Sequence, residues 1–371
     1  MHTAIRIRNF RGFESLSVES LANITLVSGA NGVGKSSILE ALFLHANGAL
    51  AGNAALSVLQ AARGELAVNL EQFEESTPWD GFFSRYDTSN PIVLSGVLDQ
   101  RRIELELAAV PGEVQQQTTF SISSPGASRK ESRQLRVSLR EDKQEASYLN
   151  SANIELSTPA NQGGLQFQNF SVQLEVRPEA QPLIAAHYVA ARNRSPHNQI
   201  ADRFSRLRRR GREKDFVNAL RALEPRLREV EILTSQGAPM LHLDVGTDLA
   251  IPLGLMGGGI HAVADLMGVV GETRNGLILV DEIENGIHHS ALANLWVSLS
   301  RLAERNNNQI VATTHSRECV AAAWQALGKR GPRFLRLLQL RRRPGNQGEI
   351  VASEYDENML QSGLEMDLEL R

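Results

Sequence analysis

Residues 27–42, VSGANGVGKSSILEAL, decide the fold of this chain. Residues 23–29, which lead into this stretch, alternate as a β-strand does, and residues 35–45 have the apolar spacing of an α-helix. Where the strand turns into the helix the chain has three glycines, Gly29, Gly32 and Gly34, each of which weakens regular structure. A glycine-rich turn from strand to helix directs backbone N–H groups and the positive end of the helix dipole inward, and this makes an anion site.

This turn fits the phosphate-loop pattern G-x-x-x-x-G-K-[ST] with Gly29, Gly34, Lys35 and Ser36. In that geometry Lys35 reaches the β- and γ-phosphates of a nucleoside triphosphate, and the Ser36 hydroxyl ligates Mg²⁺. A strand and a helix flank the pattern, so we interpret it as a nucleotide site rather than as an ordinary turn that matches by chance. The predicted nucleotide-binding residues of this loop are Gly29, Ala30, Asn31, Gly32, Val33, Gly34, Lys35, Ser36 and Ser37.

The composition bounds the class of protein. With 371 residues, 42% of them hydrophobic and 22% charged, the chain is an ordinary globular protein of one large domain with insertions, or of two domains. A net charge of −3 gives no overall attraction to nucleic acid. The single cysteine, Cys319, excludes a disulfide framework and is expected to be buried. Without a membrane-spanning run or a signal peptide, we expect a cytoplasmic protein with no membrane contact.

Periodicity divides the chain into three parts. Residues 1–90 hold two or three predicted strands, the phosphate loop and its helix. Residues 91–180 contain five segments that alternate with period two, so we predict a β-rich insertion or subdomain. The five predicted strands are at 91–99, 101–110, 118–124, 133–142 and 170–179. Residues 181–371 contain a charged helical stretch and then alternating apolar strands and helices, which is typical of an α/β sheet. We predict that the arginine-rich run at 336–343 is an edge strand with protective charge.

A second functional segment lies at 275–286, NGLILVDEIENG. Four apolar residues followed by Asp281 and Glu282 are typical of a buried parallel strand, whose carboxyl end is where an open α/β sheet places its site. We predict that Asp281 holds Mg²⁺ opposite Ser36 and that Glu282 activates the attacking water.

A third strand is predicted within 307–318, NNQIVATTHSRE, and ends at His315. It comes one helix after the acidic strand, so we expect the two strands to be neighbours. We predict that His315 contacts the γ-phosphate, in preference to a purely structural hydrogen bond.

A second glycine-rich helix start, Gly257, Gly258 and Gly259, precedes a predicted helix near residue 260. Such a start suits an anion, but the chain already has its phosphate loop. We therefore predict that these glycines cap the γ-phosphate bound by a partner subunit; the alternative is a helix-packing turn.

These four elements, phosphate loop, glycine signature, acidic strand and histidine, resemble in their order the ABC-type ATPase heads. Within that group, the amino-acid sequence looks most like the stand-alone prokaryotic AAA-labelled ATPases related to the heads of the OLD and RecF proteins. The likeness covers roughly residues 1–46 and 181–371. Besides the phosphate loop, the segments that carry it are IRNFRGFESLSV at 7–18, LILVDEIENGIHHS at 277–290, IVATTHS at 310–316 and GEIVASEYDENMLQSGLEMDLELR at 348–371.

The resemblance implies an α/β fold: an ABC-type P-loop ATPase head with a β-rich N-terminal or inserted subdomain and a helical signature subdomain. It also implies slow ATP hydrolysis in a head-to-head dimer, with two ATP molecules between phosphate loop and opposing signature. Asn285 then lies near the partner's site, and Arg11 approaches the nucleotide unless it is a plain surface arginine. The signature here, MGGGIH, lacks the serine and glutamine of the transporter form.

Two functions remain after a GTPase, a transporter subunit and a long-armed chromosome organiser are disfavoured. The first is an ATP-dependent sensor or scaffold that controls a separately encoded effector, such as a nuclease, in antiviral defence. It rests on family analogy. The segment after His315 is too short for the metal-dependent nuclease domain of OLD proteins, so we expect the effector to be another chain.

The second function is a RecF-like DNA-binding clamp for repair. The feature that bears on it is RFSRLRRRGREK at 203–214. Its arginines either contact DNA phosphates or form a solvated helix face paired with acids such as Glu224 and Glu229. The absence of a net positive charge and of interleaved aromatic residues favours the sensor. The candidate DNA contacts are Arg206, Arg208, Arg209, Arg210 and Arg212.

Overall fold

The computed structural model describes residues 1–52, 54–55, 57–58, 80–111, 133–141, 144–148, 152–157, 169–174, 181–191, 194–235, 237–343 and 349–355. Its helices are α1 Lys35–Asn47, α2 His197–Arg209, α3 Glu213–Leu223, α4 Gly258–Glu272, α5 His289–Arg305 and α6 Arg317–Leu327. Its strands are β1 His2–Phe10, β2 Phe13–Val18, β3 Ile24–Gly29, β4 Ile92–Leu98, β5 Arg101–Pro111, β6 Arg133–Glu141, β7 Gln144–Tyr148, β8 Ala152–Ser157, β9 Asn169–Leu174, β10 Ala186–Val189, β11 Glu229–Ser235, β12 Ala238–Asp244, β13 Ile251–Pro252, β14 Leu277–Val280, β15 Gln309–Thr313, β16 Leu335–Arg342 and β17 Ile350–Tyr355.

The central sheet has the strand order β10-β14-β15-β3-β16-β17, and its strands are parallel except for β17. The four residues of β14, the acidic strand, are all buried, and β14 pairs directly with β15. The prediction that the histidine strand lies beside the acidic strand is therefore confirmed. Because β3, β14 and β15 run parallel, the residues that follow them converge at one edge of the sheet.

A second, antiparallel sheet has the order β2-β1-β4-β5-β6-β7. One face of it is buried: Ile5 and Ile7 of β1 are in the core, whereas the alternate residues Arg6 and Arg8 are exposed. Strands β4 to β7 come from the predicted β-rich segment, so this segment extends the sheet that β1 and β2 begin. Strands β8 and β9 pair with each other. The strand predicted at 118–124 lies outside the described residues, as does the chain end at 356–371.

Two apolar clusters cover the two faces of the central sheet. Along β14, Leu277 and Leu279 belong to the cluster formed with α1 and the antiparallel sheet. The alternate residues Ile278 and Val280 belong to the cluster formed with helices α2 to α6, which includes the fully buried Trp296. Side chains that alternate between faces in this way are expected of a strand buried on both sides. The packing fixes where β14 ends, and therefore where the acidic residues stand.

The arginine-rich run at 336–343, which the sequence predicts as a charged edge strand, is an interior strand, so that prediction is wrong. Most of it is β16, which pairs with β3 on one side and with β17 on the other. Leu337, Leu338 and Leu340 are buried, and the exposed charges are confined to the end of the strand. Among the described helices, none has the length and apolar character needed to cross a membrane.

Candidate functional site

The phosphate loop connects β3 to α1 and depends on its glycines. Gly34 precedes α1 with φ of 89°, a left-handed conformation that glycine adopts without a side-chain clash. A Cβ at Gly34 would stand 2.5 Å from the Phe13 ring, and one at Gly29 would stand 2.5 Å from the Leu340 carbonyl oxygen. At these two positions the backbone has no room for a side chain.

Lys35 lies over this loop. Its Nζ donates to the carbonyl oxygens of Gly29 at 2.8 Å and Ala30 at 3.0 Å. Burial lowers the pKa of the Lys35 amine, while the carboxylates of Glu282 and Asp281 act in the opposite direction. The ammonium group therefore faces both the loop and the acidic strand.

Asp281 joins the ends of neighbouring strands. The Ser36 hydroxyl, from the first turn of α1, donates to the Asp281 carboxylate, with both oxygens at 3.0 Å. The Thr313 hydroxyl, from the end of β15, donates to the same carboxylate at 2.6 Å. The predicted pair of Asp281 and Ser36 is thus brought together, and Thr313 is a third member that the sequence reasoning missed.

Glu282 follows Asp281 in an unusual backbone conformation. Its φ of 49° is left-handed, which is costly for a residue with a side chain and is often found at functional sites. Its N–H donates to the Thr313 hydroxyl oxygen at 2.8 Å, which holds the turn in place. Across the described ranges its carboxylate has no hydrogen-bond partner. The turn thus places at the sheet edge a half-buried carboxylate that forms no hydrogen bond with the described residues.

His315 comes two residues after the end of β15, next to a buried carboxylate. Its Nδ1 lies 3.1 Å from Glu284 Oε1, and its backbone N–H donates to the same oxygen at 2.8 Å. Glu284 is the second residue that the sequence reasoning missed. The only signal for it is its place three residues after Asp281, in the turn that also carries Glu282.

The glycine signature begins α4. Gly257 has φ of 92° and is exposed, and a Cβ at Gly257 or Gly258 would meet no described atom within 4 Å. Gly259 differs, because a Cβ there would collide with the carbonyl oxygen of Gly286 in the same chain. The signature is therefore packed against the turn that follows the acidic strand. In that turn Asn285 accepts a hydrogen bond from Arg194 at 3.5 Å through its carbonyl oxygen.

Arg11 is partly buried against neighbouring groups. Its Nε donates to Glu40 Oε2 at 2.8 Å and its Nη1 to the Gly81 carbonyl at 2.9 Å, while the guanidinium lies 4.4 Å from the centre of the Phe82 ring. Burial raises the pKa of Glu40, and the Arg11 charge opposes this. Glu40 is one helical turn after Ser36 on α1. Arg11 is thus tied to the phosphate-loop helix, and its predicted contact with nucleotide stays a prediction.

The basic segment lies on α2 and the turn after it, and several of its arginines are paired. Arg206 forms an ion pair with Glu272 at 2.8 Å, and Arg208 lies 3.5 Å from Glu229. Glu224, the other acid predicted to pair here, binds Arg226 instead. The pairs formed by Arg206 and Arg208 match the solvated-face alternative for this segment.

Cys319, on α6, is buried as predicted, and burial raises the pKa of its thiol to about 12.

The fold is that of an ATPase head of the AAA/ABC class. The chain belongs to the family described as "AAA domain, putative AbiEii toxin, Type IV TA system", whose model matches residues 24–321. The predictions of an α/β ATPase head and of an ATPase activity are therefore confirmed.

Individual proteins are also similar to this chain. The chain is 23% identical over 340 residues to an "ATP/GTP phosphatase" of Helicobacter pylori, covering 86% of each chain. A 44-residue stretch is 50% identical to an uncharacterized protein of Methanocaldococcus jannaschii, covering 12% of this chain and 20% of that protein. Among solved structures, an Smc head bound to the C-winged helix domain of ScpA matches with a TM-score of 0.51 and 12% identity, covering 96% of this chain and 97% of that one. This last likeness concerns the fold alone.

Proposed function

We propose that the loop Gly29–Ser37 binds MgATP and that Glu282 activates the water that attacks the γ-phosphate. The observation that carries the proposal is the meeting of Ser36, Asp281 and Thr313 at one edge of the sheet, next to a Glu282 carboxylate that forms no hydrogen bond with the described part of the chain. Positioning and electrostatic stabilisation supply most of the catalysis of phosphoryl transfer. A site built from strand ends packed on both faces suits that task.

The donor atoms fit Mg²⁺, which takes oxygen ligands and keeps several waters. The Ser36 hydroxyl and the Asp281 carboxylate supply oxygens of this kind. No separate cluster of three or more His, Cys, Asp or Glu side chains suited to a metal ion occurs among the residues that the structure describes. We therefore assign Ser36 and Asp281 to the ion. When bound, Mg²⁺ neutralises the charge that develops on the phosphate oxygens.

The other residues have separate tasks in this proposal. Lys35 exchanges its two carbonyl acceptors for β- and γ-phosphate oxygens. Glu282 accepts a proton from the attacking water, and His315 contacts the γ-phosphate from the end of the neighbouring strand. The signature Gly257–Gly259 acts on a second copy: its exposed helix start closes over the triphosphate that the other chain holds. Hydrolysis is then slow and requires two chains.

We further propose that this ATPase is a sensor or scaffold related to the heads of OLD and RecF proteins, and that it controls a separately encoded effector such as a nuclease in antiviral defence. The family description, which names a toxin and a toxin–antitoxin system, supports a defence role by analogy. The pairing of Arg206 and Arg208 with acids supports the sensor over the DNA clamp. An arginine whose charge is balanced by a neighbouring carboxylate attracts a DNA phosphate less strongly.

A comparison of two affinity-tagged variants, each purified from its native host with ATP present, tests this role. Glu282→Gln should bind ATP without hydrolysing it and should co-purify with a nuclease, while Lys35→Ala should not. Purified nuclease should then change its activity when the ATP-bound chain is added. Co-purification of replication or repair proteins in place of a nuclease would contradict the sensor role and favour the clamp.

A further inference from the structure

Glu284 is a buried carboxylate that the proposed chemistry leaves without a task. Its side chain is 8% exposed, whereas the His315 side chain beside it is 52% exposed. Burying a carboxylate is costly unless hydrogen bonds compensate. Glu284 Oε1 accepts from the His315 backbone and lies next to the His315 ring, while Oε2 is buried with no partner among the residues described. All of the described contacts of the Glu284 carboxylate with polar groups are therefore made with one residue, His315.

The chemistry of the two groups favours one position for the ring proton. A carboxylate oxygen is an acceptor, so with Glu284 Oε1 3.1 Å from His315 Nδ1 a hydrogen on Nδ1 gives attraction, whereas a lone pair there would give repulsion. The other ring nitrogen, Nε2, is then the one left for substrate. In a neutral ring with this tautomer Nε2 carries a lone pair, and in the imidazolium it donates a hydrogen.

We infer that Glu284 is a positioning residue for His315: it holds the proton on Nδ1, fixes the plane of the ring and presents Nε2 to the nucleotide. When Nε2 also carries a proton, Glu284 is the counter-ion. The same oxygen fixes the backbone of His315, so ring and main chain are set by one group. Carboxylates act in this way on histidines that bind metals, where losing the carboxylate costs roughly 10- to 100-fold in affinity or activity. This inference rests on the proposed contact between His315 and the γ-phosphate.

Steady-state kinetics of four variants test it: Glu284→Gln, Glu284→Ala, His315→Ala and the double alanine variant. Glutamine keeps an acceptor oxygen where alanine keeps none, so Glu284→Gln should retain much more activity than Glu284→Ala. We expect Glu284→Ala to lower kcat by roughly 10- to 100-fold, with a smaller change in KM. The double variant should be no slower than His315→Ala. A parental kcat in Glu284→Ala, or a double variant that shows the product of both losses, would overturn the inference.

Nitrogen-15 NMR of the histidine rings gives a readout that requires neither hydrolysis nor a folded Glu284→Ala variant. Spectra are recorded about two pH units above the ordinary histidine pKa of about 6.5, with His315→Ala to assign the signal. We expect the hydrogen of the parent His315 on Nδ1. A hydrogen on Nε2 in the parent protein would refute the inference. A fully active His315→Ala with the expected tautomer would instead refute the proposed γ-phosphate contact.

Discussion

At the scale of single residues, the site is a set of short contacts between the ends of strands and the start of α1. Asp281 receives hydrogen bonds from Ser36 and from Thr313, which lie far from it in the chain. The motifs predict the pair of Ser36 and Asp281, because each has a fixed place in a recognisable pattern. They do not predict Thr313 or Glu284, because nothing local marks a hydroxyl or a carboxylate that acts across neighbouring strands.

Lys35→Ala should abolish measurable nucleotide binding. Each hydrogen bond to a charged group is worth about 1.5–3 kcal/mol, and Lys35 is predicted to contact two phosphates, so the loss is on the order of 100-fold or more in Kd. Equilibrium titration with a fluorescent ATP analogue measures it. Lys214→Ala, on the exposed face of α3, is the matched control and should bind as the parent does. If Lys35→Ala bound the ATP analogue with the parental affinity, the phosphate-loop assignment would be wrong.

Glu282→Gln should separate binding from hydrolysis. General-base catalysis contributes about 10²- to 10⁴-fold, so the hydrolysis rate should fall by at least 100-fold while ATP binding persists. ATP should then accumulate on a trapped dimer, which phosphate release and light scattering together detect. The exposed Glu14, which pairs with Arg85, supplies the control Glu14→Gln. If Glu282→Gln hydrolysed ATP at the parental rate, Glu282 would not be the base.

At the scale of elements, the order of elements along the chain predicts that strands separated by one helix are neighbours in the sheet. It does not predict how strands that are far apart in the chain pair. The acidic and histidine strands are separated by one helix, and they pair as β14 and β15. By contrast, β16 is an interior strand because the later strand β17 covers it, and this depends on a pairing that composition does not reveal. The union of β4 to β7 with the N-terminal sheet is a long-range pairing of the same kind.

Gly259→Ala should destabilise the protein where Gly258→Ala does not. The added methyl group collides with the Gly286 carbonyl, and such overpacking costs about 1–3 kcal/mol. A methyl group at Gly258 meets nothing within 4 Å in the described chain, and the helix gains from alanine, so stability should be equal or slightly higher. Denaturant unfolding compares the two. Equal stabilities would mean that the signature is not packed against the turn after β14.

The basic segment should matter little for ATP hydrolysis. Arg209 and Arg210 are exposed and have no ion-pair partner within the ranges described. We expect the triple variant of Arg208, Arg209 and Arg210 to alanine to hydrolyse ATP as the parent does. The sensor role predicts no DNA binding by the parent at low salt, measured by fluorescence anisotropy. Salt-dependent binding that the triple variant loses would favour the clamp.

At the scale of the whole molecule, the proposal divides one active site between two copies. Gly259 packs against Gly286, so each signature is attached to the acidic turn of its own chain. In the described chain no hydrogen bond joins Gly257–Gly259 to the phosphate loop of the same copy. A single chain thus supplies Lys35 and Glu282 at one place and an exposed helix start at another. Two copies facing each other bring the complementary halves together.

Crosslinking between two variants that each carry one introduced cysteine is the sharpest test of this arrangement. Leu255→Cys labels the exposed residue two positions before the signature, and Arg342→Cys labels a residue whose side chain reaches the Gly32 carbonyl at 3.1 Å. The native Cys319 is buried, and its high thiol pKa keeps it unreactive. Both changes are made in the Glu282→Gln background. The two variants, mixed with ATP and a short bismaleimide, should form a crosslinked dimer that vanishes without ATP or with Lys35→Ala. Failure to crosslink with ATP bound, or crosslinking only within a chain that carries both cysteines, would contradict the shared site.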